Sequence, residues 1–137
     1  MIWSGRLQES EGGGHSEVSN LDDLRQKLRG FAQQRDWEQF HTPKNIAIAL
    51  SVEASELLEI FQWLSDAQSQ DLTPKQRESI AQEIGDVMNY LVRFCDLVDL
   101  DPIECAEKKI DLNEQKYPAD LVRGSSAKYT AYLKDDA

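Results

Sequence analysis

The sequence predicts an all-α protein, a four-helix bundle-like protomer, and three observations predict it. The pairs Thr42-Pro43, Thr73-Pro74 and Asp101-Pro102 punctuate the chain. Each places a side-chain oxygen to cap the first free N–H groups and a proline where φ is already helical. Around them, apolar residues recur at the helical spacing of three and four. No segment sustains an alternation of period two between turn residues, so no strand is predicted.

The elements follow in order. Residues 1–18 are rich in Gly, Ser and Glu, with Gly12-Gly13-Gly14 near the centre, and read as a mobile arm. One domain is expected over residues 19–132, with a short tail over 133–137. Ser19 and Asp22 sit at the start of the Leu21, Leu24, Leu28 and Phe31 stripe, so a first helix is expected over about 20–36. Thr42-Pro43 opens a second helix that ends near Ser65. Thr73-Pro74 opens a third over about 74–99. Asp101-Pro102 opens a fourth over about 102–116, closed by Pro118. From Tyr117 onward the chain is polar, with Gly124-Ser125-Ser126, and reads as loop with at most a short turn.

Composition limits the function classes. A chain of 137 residues buries roughly two-thirds of the surface its unfolded form exposes, so its core needs no disulfide or structural metal. Apolar residues make up 40%, but no run approaches the roughly 18 that a transmembrane helix requires. Residues 1–19 hold no apolar stretch of the kind a secretory signal carries. Cys95 and Cys105 match neither a disulfide framework nor a zinc pattern, and are expected as reduced core thiols in the cytoplasm. Fifteen basic residues against 25 acidic ones give a net charge of −10, which argues against nucleic-acid binding. A small anionic ligand stays open, because a bound divalent metal reverses the local field.

The acidic residues carry the chemistry. On a helical wheel, Ile46, Leu50, Leu57, Ile60, Phe61 and Leu64 form one apolar arc of the second helix. Glu53 falls inside that arc, Glu56 at its edge, and Glu59 away from it. An unpaired carboxylate on a buried face is costly, so Glu53 needs a compensating partner. On the third helix, Ile80, Ile84, Val87, Met88, Leu91, Phe94, Cys95 and Val98 form the apolar arc, and Glu83, Asp86 and Tyr90 line one border. Two helices thus each offer a pair of carboxylates three residues apart. Oxygen ligands converging between helices are what a hard cation such as Mg²⁺ needs, and without one their repulsion is severe. The competing reading pairs the buried carboxylates with basic side chains, Arg93 or a neighbouring chain being the candidates.

Other residues are open to two readings. Trp37, Trp63 and Tyr90 can stack on a ring or pack in a core or interface. Lys108, Lys109, Lys116, Lys128 and Arg123 can meet phosphates or complement a helix end. His41 can bond a ligand or stand by in its loop.

Glu53-x-x-Glu56, followed after 26 residues by Glu83-x-x-Asp86, resembles the signature of the MazG-like all-α nucleoside triphosphate pyrophosphohydrolases. The segment Phe31-Ala32 with Arg35-Asp36-Trp37-Glu38-Gln39-Phe40-His41 resembles the dCTP pyrophosphatase branch. So do Glu59-Ile60-Phe61-Gln62-Trp63, Lys109-x-x-x-Asn113-x-x-Lys116-Tyr117-Pro118, Arg123-Gly124-Ser125 and Lys128-Tyr129. The resemblance covers about residues 20–132. It implies Mg²⁺-dependent cleavage of a deoxynucleoside triphosphate between the α and β phosphates, with Mn²⁺ as a substitute metal. It implies Glu53, Glu56, Glu83 and Asp86 as catalytic metal ligands. It also implies Trp37, His41, Trp63 and Tyr90 around base and sugar, and Lys109, Asn113, Lys116 and Tyr117 toward phosphate. A homodimer or homotetramer with shared sites is implied as well. The substrate expected is dCTP or a modified dCTP. Leu28 departs from the histidine of the animal branch, which loosens the expected base preference.

Mg²⁺ neutralises a triphosphate and positions it, and a carboxylate not used in coordination can activate the attacking water, with Glu56 as the candidate. Such transfer needs positioning more than covalent chemistry, so the lack of a nucleophile constellation is no objection. A di-iron carboxylate bundle needs two Glu-x-x-His pairs, and Glu38-x-x-His41 has no second copy. A non-enzymatic acidic helical interaction module suits the charge but leaves Glu53 unexplained.

Overall fold

A computed structural model describes Val18 and residues 20–127, and among these the chain is helical with no strand. Its elements are α1 (Leu21–Gln34), a 3₁₀ turn (Glu38–Phe40), α2 (Pro43–Phe61), α3 (Asp66–Gln70), α4 (Pro74–Leu97), α5 (Pro102–Lys116) and α6 (Ala119–Val122). The four expected helices are therefore present, together with two short ones. The N-terminal arm and the C-terminal tail lie outside the described residues.

The three Pro-marked helix starts form as their residues dictate. Thr42 and Thr73 each accept the N–H three residues on, at 3.2 Å. Asp101 accepts from Ile103 and Glu104 at 2.7 and 3.1 Å. The cap of α1 is Asn20, which accepts from Asp23 at 2.9 Å, rather than Ser19 with Asp22. The short α3 was not expected. Ser65 caps it in a reciprocal box with Gln68, the Ser-x-x-Gln signal of a helix start.

Two helix ends use an aspartate in the left-handed region. Asp36 has φ 53°, and its N–H and that of Trp37 return to Gln33 and Ala32 at 3.0 and 2.9 Å. Asp99 has φ 55°, and the Leu100 N–H returns to Cys95 at 3.0 Å. Both are the αL endings at which glycine is the usual residue.

The chain divides into two compact units after Leu100. In the first, α4 packs on α2 and on α1. His41, just before α2, bonds Arg93 late on α4, whereas Glu53, further along α2, gathers with Glu83 nearer the start of α4. The two helices therefore run antiparallel. Ile46, Ala49 and Tyr90 form their core, with Leu50, Phe94 and Leu97 against it. Leu28 and Ala32 are the buried residues of α1.

The apolar arc expected on α4 is only partly internal. Its buried residues are Tyr90, Val92, Arg93 and Cys95, whereas Ile84, Met88 and Leu91 are 52%, 41% and 36% exposed. The face bordered by Tyr90 meets α2, which turns the Ile84–Met88–Leu91 stripe outward. The second unit holds α5 and α6, and neither buries a residue. Cys95 and Cys105 are both free thiols, but only Cys95 is a core thiol. Cys105 lies on α5, whose Ile103, Ile110 and Leu112 are exposed as well, so the expectation of two core cysteines is corrected. Among the described residues, no helix is long and apolar enough to cross a membrane.

Candidate active site

The site is built on the buried stripe of α2. Ile46, Ala49 and Glu53 are the buried residues of this helix, at the three- and four-residue spacing that puts them on one face. The third position of a core stripe is thus a carboxylate with 0% of its surface exposed. Among the described residues, neither Glu53 oxygen has a hydrogen-bond partner, and Glu83 Oε2 has none either. Such atoms carry a desolvation cost that some positive charge has to offset.

Three of the four carboxylates singled out in the sequence lie together. Glu53, Glu56 and Glu83 each offer an oxygen within 4.8 Å of the others. Asp86 follows Glu83 by about one turn of α4, and its charge is felt by both Glu53 and Glu83. Glu59 is exposed, as expected, although its charge still reaches Glu83.

The electrostatics follow from burial and repulsion. Burial, then the charges of Glu56, Asp86 and Glu83, push the Glu53 carboxyl from 4.5 up to about 7. Burial first, and then Glu56, hold Glu83 and Asp86 above their ordinary range. Arg93 does not relieve this repulsion. Its Nε donates to His41 Nδ1 at 3.2 Å and its NH1 to Asp96 at 2.9 Å. Among the described residues, Arg93 is therefore not the counter-ion that the competing reading offered. An all-oxygen donor set with orphaned buried atoms is suited to a hard divalent cation.

The predicted ring-contact residues divide into three environments. Trp63, just beyond α2, is 87% exposed and packs in no core among the described residues. Trp37 is half-buried, with its ring edge-on to Phe31 at 5.7 Å. Tyr90 is buried in the α2–α4 core. Tyr90 and His41 also line a cavity of about 160 Å³ with Phe40, Asn45, Ile46, Ile48, Ala49 and Val52. His41 is itself buried.

Lys109, Asn113 and Lys116 share one exposed stripe of α5, and the Tyr117 N–H donates to Asn113 O at 2.8 Å at its end. These four belong to the second unit. Lys108 is paired with Glu104 at 2.6 Å, and Lys128 and Tyr129 lie outside the described residues. Sequence reasoning missed Arg29 and Asp96. Asp96 lies three residues beyond Arg93, the spacing of a helical ion pair, and that was the available signal.

The MazG-like family's sequence profile matches residues 48–131, a span that contains Glu53, Glu56, Glu83 and Asp86. The chain belongs to the MazG-like family. It is 44% identical over 117 residues to dCTP pyrophosphatase 1 of Rattus norvegicus and 42% identical to that of Homo sapiens. Each alignment covers 84% of this chain and 69% of the relative. A solved pyrophosphatase from Archaeoglobus fulgidus is similar in fold, with a TM-score of 0.69 and 38% identity over 77% of this chain and 99% of that one. Among the described residues of this MazG-like chain, Glu53, Glu56 and Glu83 form the cluster that could hold a metal.

Proposed function

We propose that the chain is a nucleoside triphosphate pyrophosphohydrolase that cleaves a deoxynucleoside triphosphate, dCTP or a 5-modified dCTP, into monophosphate and pyrophosphate. The observation that carries this reading is Glu53, a fully buried carboxylate with no donor among the described residues, set among Glu56, Glu83 and Asp86. The dCTP pyrophosphatases similar to it over most of its length supply the substrate class.

Glu53, Glu56, Glu83 and Asp86 would hold Mg²⁺, with Mn²⁺ as a substitute. When bound, the metal supplies charge neutralisation to the triphosphate and Lewis-acid polarisation of a phosphoryl oxygen. The residues of the chain do the rest. Glu56, at the rim of the buried stripe, would take the proton of the attacking water with whichever of its oxygens is not used in coordination. Trp63 and Trp37 offer aromatic faces to the base and Tyr90 holds the pocket floor. Lys109, Asn113, Lys116 and Tyr117 are the groups that the family resemblance assigns to phosphate oxygens. Leu28 is packed in the core of α1 and offers the base no hydrogen bond, so the ring must be read by other groups.

A second copy of the chain is the partner that the exposed Ile84–Met88–Leu91 stripe supports, in a homodimer or dimer of dimers. Helices buried against a partner explain why so long an amphipathic α4 leaves an apolar stripe outward. The cytoplasm, where nucleotide pools reside and thiols stay reduced, is the compartment proposed.

Chromatography of the products of each dNTP, with Mg²⁺ and with EDTA, tests the reading. Monophosphate plus pyrophosphate, abolished by EDTA, is expected. Diphosphate plus phosphate, or no turnover of any nucleotide, would overturn it.

A further inference from the structure

Three side chains behind the cavity form a continuous ionic chain. Arg29 of α1 clasps Asp96 of α4 with two hydrogen bonds, that from Nε at 2.8 Å. Asp96 also accepts from Arg93 NH1 at 2.9 Å. Arg93 then donates from Nε to His41 Nδ1 at 3.2 Å. The Asp96 and Arg93 side chains are 4% and 7% exposed, so water competes little with these bonds.

The bond to His41 has a chemical consequence. A guanidinium has no acceptor, so the Nδ1 it meets must carry a lone pair. The imidazole is then neutral and its proton resides on Nε2. Burial, and then the charge of Arg93, lower the affinity of this ring for a second proton, against a weaker pull from Glu38 of the 3₁₀ turn. The turn that carries His41 is pinned from the other side, because Asn45 Nδ2 donates to Phe40 O at 3.0 Å.

We propose that Arg93, held by Asp96 and Arg29, is a positioning residue that fixes His41 as an Nε2–H donor in the wall of the cavity, where it selects a single-ring base bearing an acceptor atom. The cavity is lined by Phe40, Ile46, Ile48 and Val52 on its apolar side and by His41, Asn45 and Tyr90 on its polar side. Its volume of about 160 Å³ is close to the roughly 150 Å³ that accommodates one six-membered ring in a protein interior. The inference rests on the nucleotide reading given above, and it adds to that reading the groups that discriminate a pyrimidine from a purine. A buried ring whose tautomer is imposed offers a donor and not an acceptor, and an unpaired edge in such a site is rejected strongly.

The first test reads the tautomer in the resting protein, without nucleotide, by long-range ¹⁵N–¹H correlation at neutral pH. The sequence holds two histidines, His15 and His41, and His41→Gln assigns the signals. A pyridine-type Nδ1 and a pyrrole-type Nε2 are expected, and an Nδ1–H tautomer or an imidazolium would overturn the proposal. The second test compares Arg93→Gln, Arg93→Lys and Arg29→Gln with the wild type. In Arg93→Gln, the KM for dCTP should rise roughly tenfold, the loss of one well-placed hydrogen bond, with kcat within threefold and little change for purine substrates. Arg93→Lys should recover part of this loss, and the partly exposed Arg29→Gln, which spares the fold, should show a smaller loss in the same direction. An unchanged KM in both glutamine variants, or equal losses for purines and pyrimidines, would refute the positioning role. Because the tautomer is read without turnover, failure of the nucleotide reading and failure of the network are told apart.

Discussion

Replacing Glu53 by glutamine should make the metal-free protein more stable while it abolishes turnover. Glutamine keeps the shape and removes the charge. With the folded pKa raised from 4.5 to about 7, the native state holds a proton that the unfolded chain has released. Stability relative to the glutamine variant is therefore intact below about pH 4.5, falls as pH rises through the window from 4.5 to 7, and is level above it. At about 1.4 kcal/mol per pH unit the full loss is on the order of 3 kcal/mol. For a domain of this size that amounts to a Tm higher by on the order of 10 °C in the variant at pH 8. At pH 5, where Glu53 is protonated, the two proteins should melt within a few degrees of each other. The assay is thermal unfolding in EDTA across this pH range, with nucleotide turnover measured on the same preparations in Mg²⁺. A variant equally destabilised at pH 5 and pH 8, or one with activity within a few-fold of wild type, would refute the reasoning.

The remaining predictions are briefer. Mg²⁺ should raise the Tm of the wild type, by about 2.7 kcal/mol of stabilisation at a hundred times Kd, and by more at pH 8 than at pH 5.5 because the carboxylates must shed their protons to bind; a calorimetric series at both pH values checks this. Asp86→Asn should lower kcat at least a hundredfold with the helical circular-dichroism signal retained. Trp63→Ala should change Tm by less than about 2 °C, since the ring is exposed in the chain, and should raise KM more than it lowers kcat. Asp99→Gly should stabilise the end of α4 by about 0.5–1 kcal/mol, because glycine adopts the φ of 55° without strain, and denaturant titration reads that gain.

Much of this architecture is legible in the sequence. The cap–proline pairs fix where α2, α4 and α5 begin, because their physics is local. Glu53 stood out for a similar reason, since a carboxylate inside an apolar arc conflicts with its neighbours on any wheel. What the sequence could not convey is which part of each arc meets which neighbour. Ile84, Met88 and Leu91 looked internal, yet α4 turns Tyr90, Val92 and Cys95 inward instead. Arg93 illustrates the same limit. It lies on the stripe of Glu83, Asp86 and Tyr90, and so resembled a counter-ion for the acids. Seven residues of α-helix place it about 10 Å beyond Asp86, beside His41 and Asp96 rather than the carboxylates. The αL endings at Asp36 and Asp99 carried no glycine to reveal them.

Among the described residues, both oxygens of the buried Glu53 and Oε2 of its neighbour Glu83 have no donor. Binding of Mn²⁺, followed by electron paramagnetic resonance on the protein alone, tests their role as metal ligands most directly. Saturable binding by the wild type, weakened at least tenfold in Glu53→Gln and in Glu83→Gln, is the predicted result. Equal binding in all three proteins, or none in the wild type, would contradict the assignment of the site.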